Sequence, residues 1–214
     1  MLCGVDEAGK GAVLGPLVVA AVGAADQAEF EGLGVKDSKL LLPAKRKELS
    51  GLICSRFPFK ILVIEPGEID LFRMRMNMNA IMARAHARVI TDLGASVAYV
   101  DACDVNARRY GSMVKNSVGC DCRIISEHHA DSTWPLVSAA SIVAKVFRDE
   151  AIAELGSTYG EIGSGYPSDK TTVAFLEEYL SSFGKPPLCA RASWQTTRTL
   201  IATREQSHFT SFFG

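Results

Sequence analysis

Residues 1–23 read MLCGVDEAGKGAVLGPLVVAAVG, and the fold turns on how this stretch is read. Leu2–Asp6 has the length and apolar content of a short strand. Leu17–Gly23, entered after Pro16, is a continuous apolar run and reads as a central strand. Between them stand two adjacent acids, Asp6 and Glu7, followed by Gly9-Lys10-Gly11. Neighbouring side chains on a strand face opposite ways, so the acids gain nothing from packing. Like charges side by side repel unless something positive holds them, and a bound cation is one answer.

Outward from this stretch, Phe59–Glu65 (FKILVIE) alternates and is rich in β-branched residues. Ser96–Asp101 (SVAYVD) and Cys122–Glu127 complete a set of about five strands. Helical signals cover Pro43–Cys54, residues 68–93 up to Gly94, Asn106–Met113, Leu136–Leu155, Lys170–Phe183 up to Gly184, and Ser193–Thr203. Strands dominate early and helices late. The expectation is an α/β protein with a sheet of about five strands and a helical C-terminal region. No internal repeat, low-complexity tract or clear linker interrupts the chain.

The chain has 214 residues, 48% of them apolar, enough for a sizeable core. It shows no apolar run of bilayer length and no basic-then-apolar leader, so no membrane association and a cytoplasmic location are expected. Its six cysteines read mostly as buried thiols. The run CDCRIISEHH offers Cys120, Cys122, His128 and His129, but its C-x-C spacing lacks a C-x-x-C partner and zinc is not expected there. A net charge of −1 argues against binding nucleic acid through overall charge. The cations are clustered instead: Lys36, Lys39, Lys45, Arg46 and Lys47; Arg73, Arg75, Arg84 and Arg88; Arg108, Arg109 and Lys115. Each cluster alone reads as a solvated helix face; beside a group of acids, together they make a substrate-facing groove plausible.

The acids recur at comparable places. Asp6 and Glu7 end the first strand, Asp101 ends VAYVD, and Asp131 stands in the loop after IISEHHA. An acid after a strand is ordinarily a turn former or helix cap. Four such acids, with no nucleophilic Ser or Cys beside them, suit a hard cation such as Mg²⁺ or Mn²⁺. The segment after Asp131 carries Ser138, Ser141, Lys145 and Arg148 at helical spacing on one stripe. That stripe is either an ordinary amphipathic face or a surface for a phosphate. Gly9-Lys10-Gly11 is likewise either a turn or a place where backbone N–H groups approach a ligand closely. It is not a Walker A loop.

GVDEAGKGAVLGPLVVAAV, LGVKDSKLL, YVDACDVN, SEHHADSTWPLVSAASIVAKVFRDE, GSGYPSDKTT and RASWQT occur here in order, and the chain resembles ribonuclease HII of the archaeal type over nearly its whole length. The resemblance implies a ribonuclease H-like mixed sheet flanked by helices. Residues 1–160 would form the catalytic domain, 161–204 a helical region packed on it, and 205–214 a flexible tail. It implies endonucleolytic cleavage of RNA in RNA–DNA hybrids and 5′ of ribonucleotides embedded in duplex DNA, leaving a 3′-hydroxyl and a 5′-phosphate. Asp6, Glu7, Asp101 and Asp131 would hold two Mg²⁺ or Mn²⁺ ions. Gly9, Lys10 and Gly11 would sense the ribose 2′-OH, which distinguishes RNA from DNA. Tyr166 would pack on the neighbouring sugar, with Lys39, Ser138, Lys145 and Arg148 in the substrate-binding set. Two positions depart from the family pattern: Lys10 stands where Arg is usual, and His129 where Lys is usual. A nuclease for DNA junctions, or a non-catalytic nucleic-acid-binding module of the same fold, are the alternative readings. The protein is expected to be a monomer.

The tail, REQSHFTSFFG, places Gln206, Phe209, Phe212 and Phe213 in the Q-x-x-hydrophobic-x-x-aromatic-aromatic arrangement of peptides that bind the sliding clamp (PCNA). One turn of tight helix from Phe209 to Phe212 would bring the aromatic residues to one side as a plug for an apolar pocket.

Overall fold

The computed structural model describes residues 1–35 and 41–213, with side chains through Gln206. Strands β1 (Leu2–Ala8), β2 (Leu17–Ala24), β3 (Phe59–Ile64), β4 (Val97–Asp101) and β5 (Arg123–Glu127) form one sheet in the order β3-β2-β1-β4-β5. β1 runs antiparallel to β2 and parallel to β4, and β4 runs parallel to β5, so the sheet is mixed. A short 3-10 helix (Gln27–Phe30) and helices α1 (Pro43–Arg56), α2 (Pro66–Arg73), α3 (Met78–Leu93), α4 (Ala107–Ser117), the short α5 (Ala130–Thr133), α6 (Pro135–Tyr159), α7 (Lys170–Phe183) and α8 (Gln195–Phe213) complete the described elements.

The observed boundaries differ from the sequence expectation in informative places. β1 runs past Asp6 to Ala8, because ladder pairing continues through Asp6↔Ala20, Glu7↔Val19 and Ala8↔Val18 whatever the side-chain charge. Both acids therefore lie within the strand. α6 continues through Gly156 and stops at Tyr159, where Gly160 takes φ +84°. α8 runs on past Thr203, since neither Gly nor Pro interrupts its residues up to Phe213. Other ends follow local chemistry. Asn77 caps α3 by accepting from the Ala80 N–H at 2.9 Å, and Gly94 closes that helix at φ +72°.

The chain divides into two compact units. The first comprises Met1–Ala8, Val18–Val63 and Met76–Phe147; the second comprises Gly9–Leu17, Ile64–Arg75 and Arg148–Gly214. In the first, α1 and α6 pack with β1, β2 and β3 around Val18, Val22, Ile53, Leu136, Ile142 and Val143. Alternation on β1 sorts its side chains between two faces. Gly4, Asp6 and Ala8 face α6. A Cβ at Gly4 would overlap the Leu136 backbone, so glycine there lets helix and sheet touch. Cys3, Val5 and Glu7 take the other face, toward α3. The second unit has its own small core of Val13, Leu14, Ile162, Leu176, Cys189 and Ala190. Among the described residues no helix is long and apolar enough to cross a membrane.

Candidate active site

Asp6 is the interior member of the acid group, only 6% exposed. Its carboxylate accepts from the Glu7 N–H at 2.8 Å. Burial, then the Glu7 and Asp101 charges, push its carboxyl well above the usual range; Lys145 and a hydrogen bond from Ser141 act against the rise. Lys145 also bonds Ser141 Oγ, so α6 offers one cation and one hydroxyl to the Asp6 face. Asp101 ends β4 and accepts from the Ala130 N–H at 2.9 Å, which ties the start of α5 to the strand end. Asp131 follows directly in α5 and is buried. That turn is held by His129, which adopts a left-handed conformation at φ +56°. Asp104, three residues beyond Asp101, is engaged differently. It accepts from the Asn106 N–H and Asn79 Nδ2, both at 2.9 Å, and pairs with Arg109. These bonds, that of Asn106 first, hold its carboxyl below the ordinary range.

Glu7 sits on the opposite face of β1 in a polar group that the sequence does not reveal. Its Oε2 lies 3.2 Å from His86 Nε2, and its Oε1 accepts from the Cys103 thiol at 3.1 Å. Tyr110 OH lies 3.1 Å from His86 Nδ1. An ionised carboxylate only accepts, so in this network Nε2 donates to Glu7 and Nδ1 accepts from the phenol. His86 and Tyr110 are fully buried. Burial is also the main cause that raises the Tyr110 phenol far above its usual value. The sequence signal is faint: one His on an otherwise apolar helix face and one Cys two residues beyond an acid.

The second unit arranges the Gly9-Lys10-Gly11 loop. The Gly9 N–H donates to Tyr166 OH at 3.2 Å, and Gly9 takes φ +88°. A side chain there would meet Arg148 Nε at 2.5 Å and the Pro16 carbonyl at 2.7 Å, so only glycine fits. Arg148 stacks over the Tyr166 ring at 4.5 Å and donates to the Ser164 carbonyl at 3.0 Å. Arg191 is fully buried. It donates to the Gly15 carbonyl at 3.0 and 3.2 Å and to the Lys10 carbonyl at 3.2 Å. Trp194 carries Arg191 on its ring at 4.8 Å and Arg73 at 4.7 Å. Asp70 accepts from the Ala192 and Ser193 N–H groups at 2.7 and 3.0 Å. Burial lowers both Arg148 and Arg191; Arg191, with Arg148 as its second cause, falls to about 9.

The remaining expected residues fall in varied settings. Ser138 is buried and bonds the Val35 carbonyl, and Arg148 is 3% exposed, so both face protein groups. Gly11 has open space where a side chain would project. Lys39 lies outside the described residues, as do the side chains of Phe209, Phe212 and Phe213 in α8; Gln206 is exposed. In the first unit, Arg108, Lys115 and Arg123 line a cleft of about 820 Å³ between α4 and β5. Lys115 there donates to the Cys122 carbonyl at 2.8 Å.

The ribonuclease HII family model matches residues 3–197. The chain is 54% identical to a ribonuclease HII of Methanoregula boonei, covering 100% of both chains. It is 49% identical to one of Methanospirillum hungatei, over 99% of this chain and 100% of that one. Among solved structures, a PCNA:RNase HII complex from Archaeoglobus fulgidus superposes with a TM-score of 0.87 at 40% identity, covering 94% of this chain and 96% of that chain.

Proposed function

The chain belongs to the ribonuclease HII family and is a ribonuclease H, and from that premise we propose that it cuts the RNA strand of RNA–DNA hybrids and cleaves 5′ of ribonucleotides embedded in duplex DNA. The observation that carries the reading is the setting of Asp6: a carboxyl pushed up first by its burial and then by Glu7 and Asp101, with Lys145 and Ser141 against it from α6. Such a group favours further positive charge, and the oxygen donors of Asp6, Glu7, Asp101 and Asp131 suit Mg²⁺ or Mn²⁺. When bound, a pair of such ions supplies the Lewis acidity that activates water, clamps the scissile phosphate and steadies the leaving 3′-oxygen.

The chain's own residues do the rest. Asp6 and Asp101 bring their carboxyl groups from the neighbouring strands β1 and β4, and the Ala130 N–H fixes the Asp101 carboxylate in place. Lys145 and Ser141 face Asp6 from α6. Gly9, Lys10 and Gly11 present backbone to the 2′-OH, and Tyr166 stacks on the neighbouring sugar. Arg148 orients the Tyr166 ring from below, and Arg191 fixes the Lys10 carbonyl, so reading of the sugar starts from a prepared loop. Ser138 acts by holding the Val35 carbonyl rather than a phosphate. In the Lys10 side chain a compact ammonium replaces the forked guanidinium usual in the family, so any phosphate contact there loses the planar two-point geometry while the charge stays the same.

The deciding experiment is cleavage of a duplex containing one ribonucleotide, with and without Mg²⁺ or Mn²⁺. Metal-dependent nicking 5′ of the ribonucleotide is expected; cleavage of an all-DNA control would overturn the assignment. We further propose that Gln206, Phe209, Phe212 and Phe213 bind a sliding clamp and raise the local enzyme concentration on DNA. The support is the motif together with the clamp complex of the Archaeoglobus fulgidus relative. Titration calorimetry tests it: Phe212→Ala with Phe213→Ala should abolish clamp binding and leave intrinsic cleavage unchanged.

A further inference from the structure

Two side chains that bond Glu7, His86 and Cys103, are of metal-binding types. A Glu7 carboxylate oxygen, a His86 ring nitrogen and the Cys103 sulfur all lie within 4.8 Å of one another. A tetrahedral zinc centre with its usual bond lengths separates such donors by roughly 3.3–3.6 Å, so small rotamer adjustments bring all three onto one ion. We propose that Glu7, His86 and Cys103 form a site for a thiophilic divalent cation, Zn²⁺, and that its occupation inhibits the enzyme by holding Glu7 on the His86 face of β1. The binding half stands on geometry alone; the inhibitory half rests on the role of Glu7 proposed above.

The donor chemistry separates this site from the carboxylate group. Thiolate and imidazole suit zinc and are poor ligands for Mg²⁺, whereas the acids facing Asp6 offer only oxygen. The supporting partner is already in place. Tyr110 OH, 3.1 Å from His86 Nδ1, fixes the imidazole with Nε2 toward Glu7. Binding needs a modest rearrangement of protons. The Cys103 S–H, which donates to Glu7 Oε1, gives up its proton to solvent. The His86 proton moves to Nδ1 and bonds Tyr110 oxygen, and the phenol O–H turns to the Cys103 thiolate, which lies within its hydrogen-bonding reach. One proton leaves per ion. The fourth position on the metal falls to water.

The test uses the full-length, metal-free protein and Co²⁺ alone as a spectroscopic stand-in. One equivalent should produce a near-ultraviolet thiolate-to-cobalt band, displaced by one equivalent of Zn²⁺ and untouched by excess Mg²⁺. Cys103→Ser should lose the band, and Tyr110→Phe should weaken binding about tenfold or more. A band that survives Cys103→Ser, or no band in the wild type, overturns the site. If Cys103→Ser does not fold, the wild type still decides: Zn²⁺ should protect Cys103 from iodoacetamide by mass spectrometry, and unprotected Cys103 overturns the site. For inhibition, low Zn²⁺ added to Mg²⁺-saturated enzyme should slow cleavage, and Cys103→Ser should need at least tenfold more zinc, each protein being compared with its own zinc-free rate. Equal sensitivity overturns the inhibitory half. Failure of the catalytic assignment would show as an active Asp101→Asn and would leave the cobalt band unchanged.

Discussion

Asp6 in the first unit and Arg191 in the second are both buried ionisable groups, 6% and 0% exposed, and they are compensated in different ways. Arg191 is satisfied internally by the Gly15 and Lys10 carbonyls and the Trp194 ring. Asp6 has Lys145 and Ser141 in its favour, while Glu7 and Asp101 act with burial to raise its carboxyl. One unit uses charge to organise its own backbone. The other concentrates charge that a divalent ion would neutralise. The lesson is that burial by itself does not mark a functional charge; the nature of its neighbours does.

The sharpest way to break this comparison is to neutralise the acids. Asp101→Asn should drop cleavage of a single-ribonucleotide duplex below detection at saturating Mn²⁺ with the fold retained by circular dichroism. A wild-type rate would remove Asp101 from the site. Next in size is the tyrosine. Tyr166→Ala should slow cleavage at a single ribonucleotide on the order of 10²-fold, the scale of a misplaced substrate, while calorimetric metal affinity stays unchanged. A loss of metal affinity in parallel would show that Tyr166 acts through the acids.

Arg191→Leu tests the opposite kind of charge. It leaves the Gly15 and Lys10 carbonyls without their donor and should cost roughly 3 kcal/mol in urea unfolding, with or without divalent metal. A stability loss seen only with metal present would blur the distinction between the units. The smallest effect concerns the metal-free stability of the acids. Since the Asp6 carboxyl is raised, the folded protein binds that proton more tightly than the unfolded chain does. This contribution is whole below the unfolded carboxyl pKa of about 4 and is lost as pH rises through the raised folded value. Metal-free Asp6→Asn should therefore melt above the wild type at neutral pH, and the gap should close as pH falls toward about 4. A gap that widens on acidification would reverse the sign assigned to Asp6.

Much of the site is legible in the sequence. Asp6, Glu7, Asp101 and Asp131 stand out because carboxylates at strand ends have few packing reasons to be there, and Gly9 because a glycine-flanked turn beside them invites close approach of the backbone. The Lys170–Phe183 helix is readable to the residue, since Asp169 caps its start and Gly184 takes φ +72° at its end. Four helix ends, at Cys54, Met113, Leu155 and Thr203, read too short from sequence; they fall at Arg56, Ser117, Tyr159 and Phe213. Gly156 has the character of a stop although it lies inside α6, and α8 continues to Phe213 through residues expected as a flexible tail.

Local features could be read straight from the chain: the strands and their acids, the glycine loop, the caps, and the family motifs in their order. Those features depend on neighbours in the chain, on alternation, on φ and on one-turn spacing. Partnership between distant side chains came from the folded arrangement alone. Glu7 meets His86 and Cys103, which lie 79 and 96 residues away, and Arg191 reaches Gly15 across 176. Tyr166 receives the Gly9 N–H across 157. Side chains so far apart in sequence leave no periodic trace. Whether a serine such as Ser138 faces solvent or a buried carbonyl depends on what packs over its helix, and a stripe of polar residues reads the same in either case.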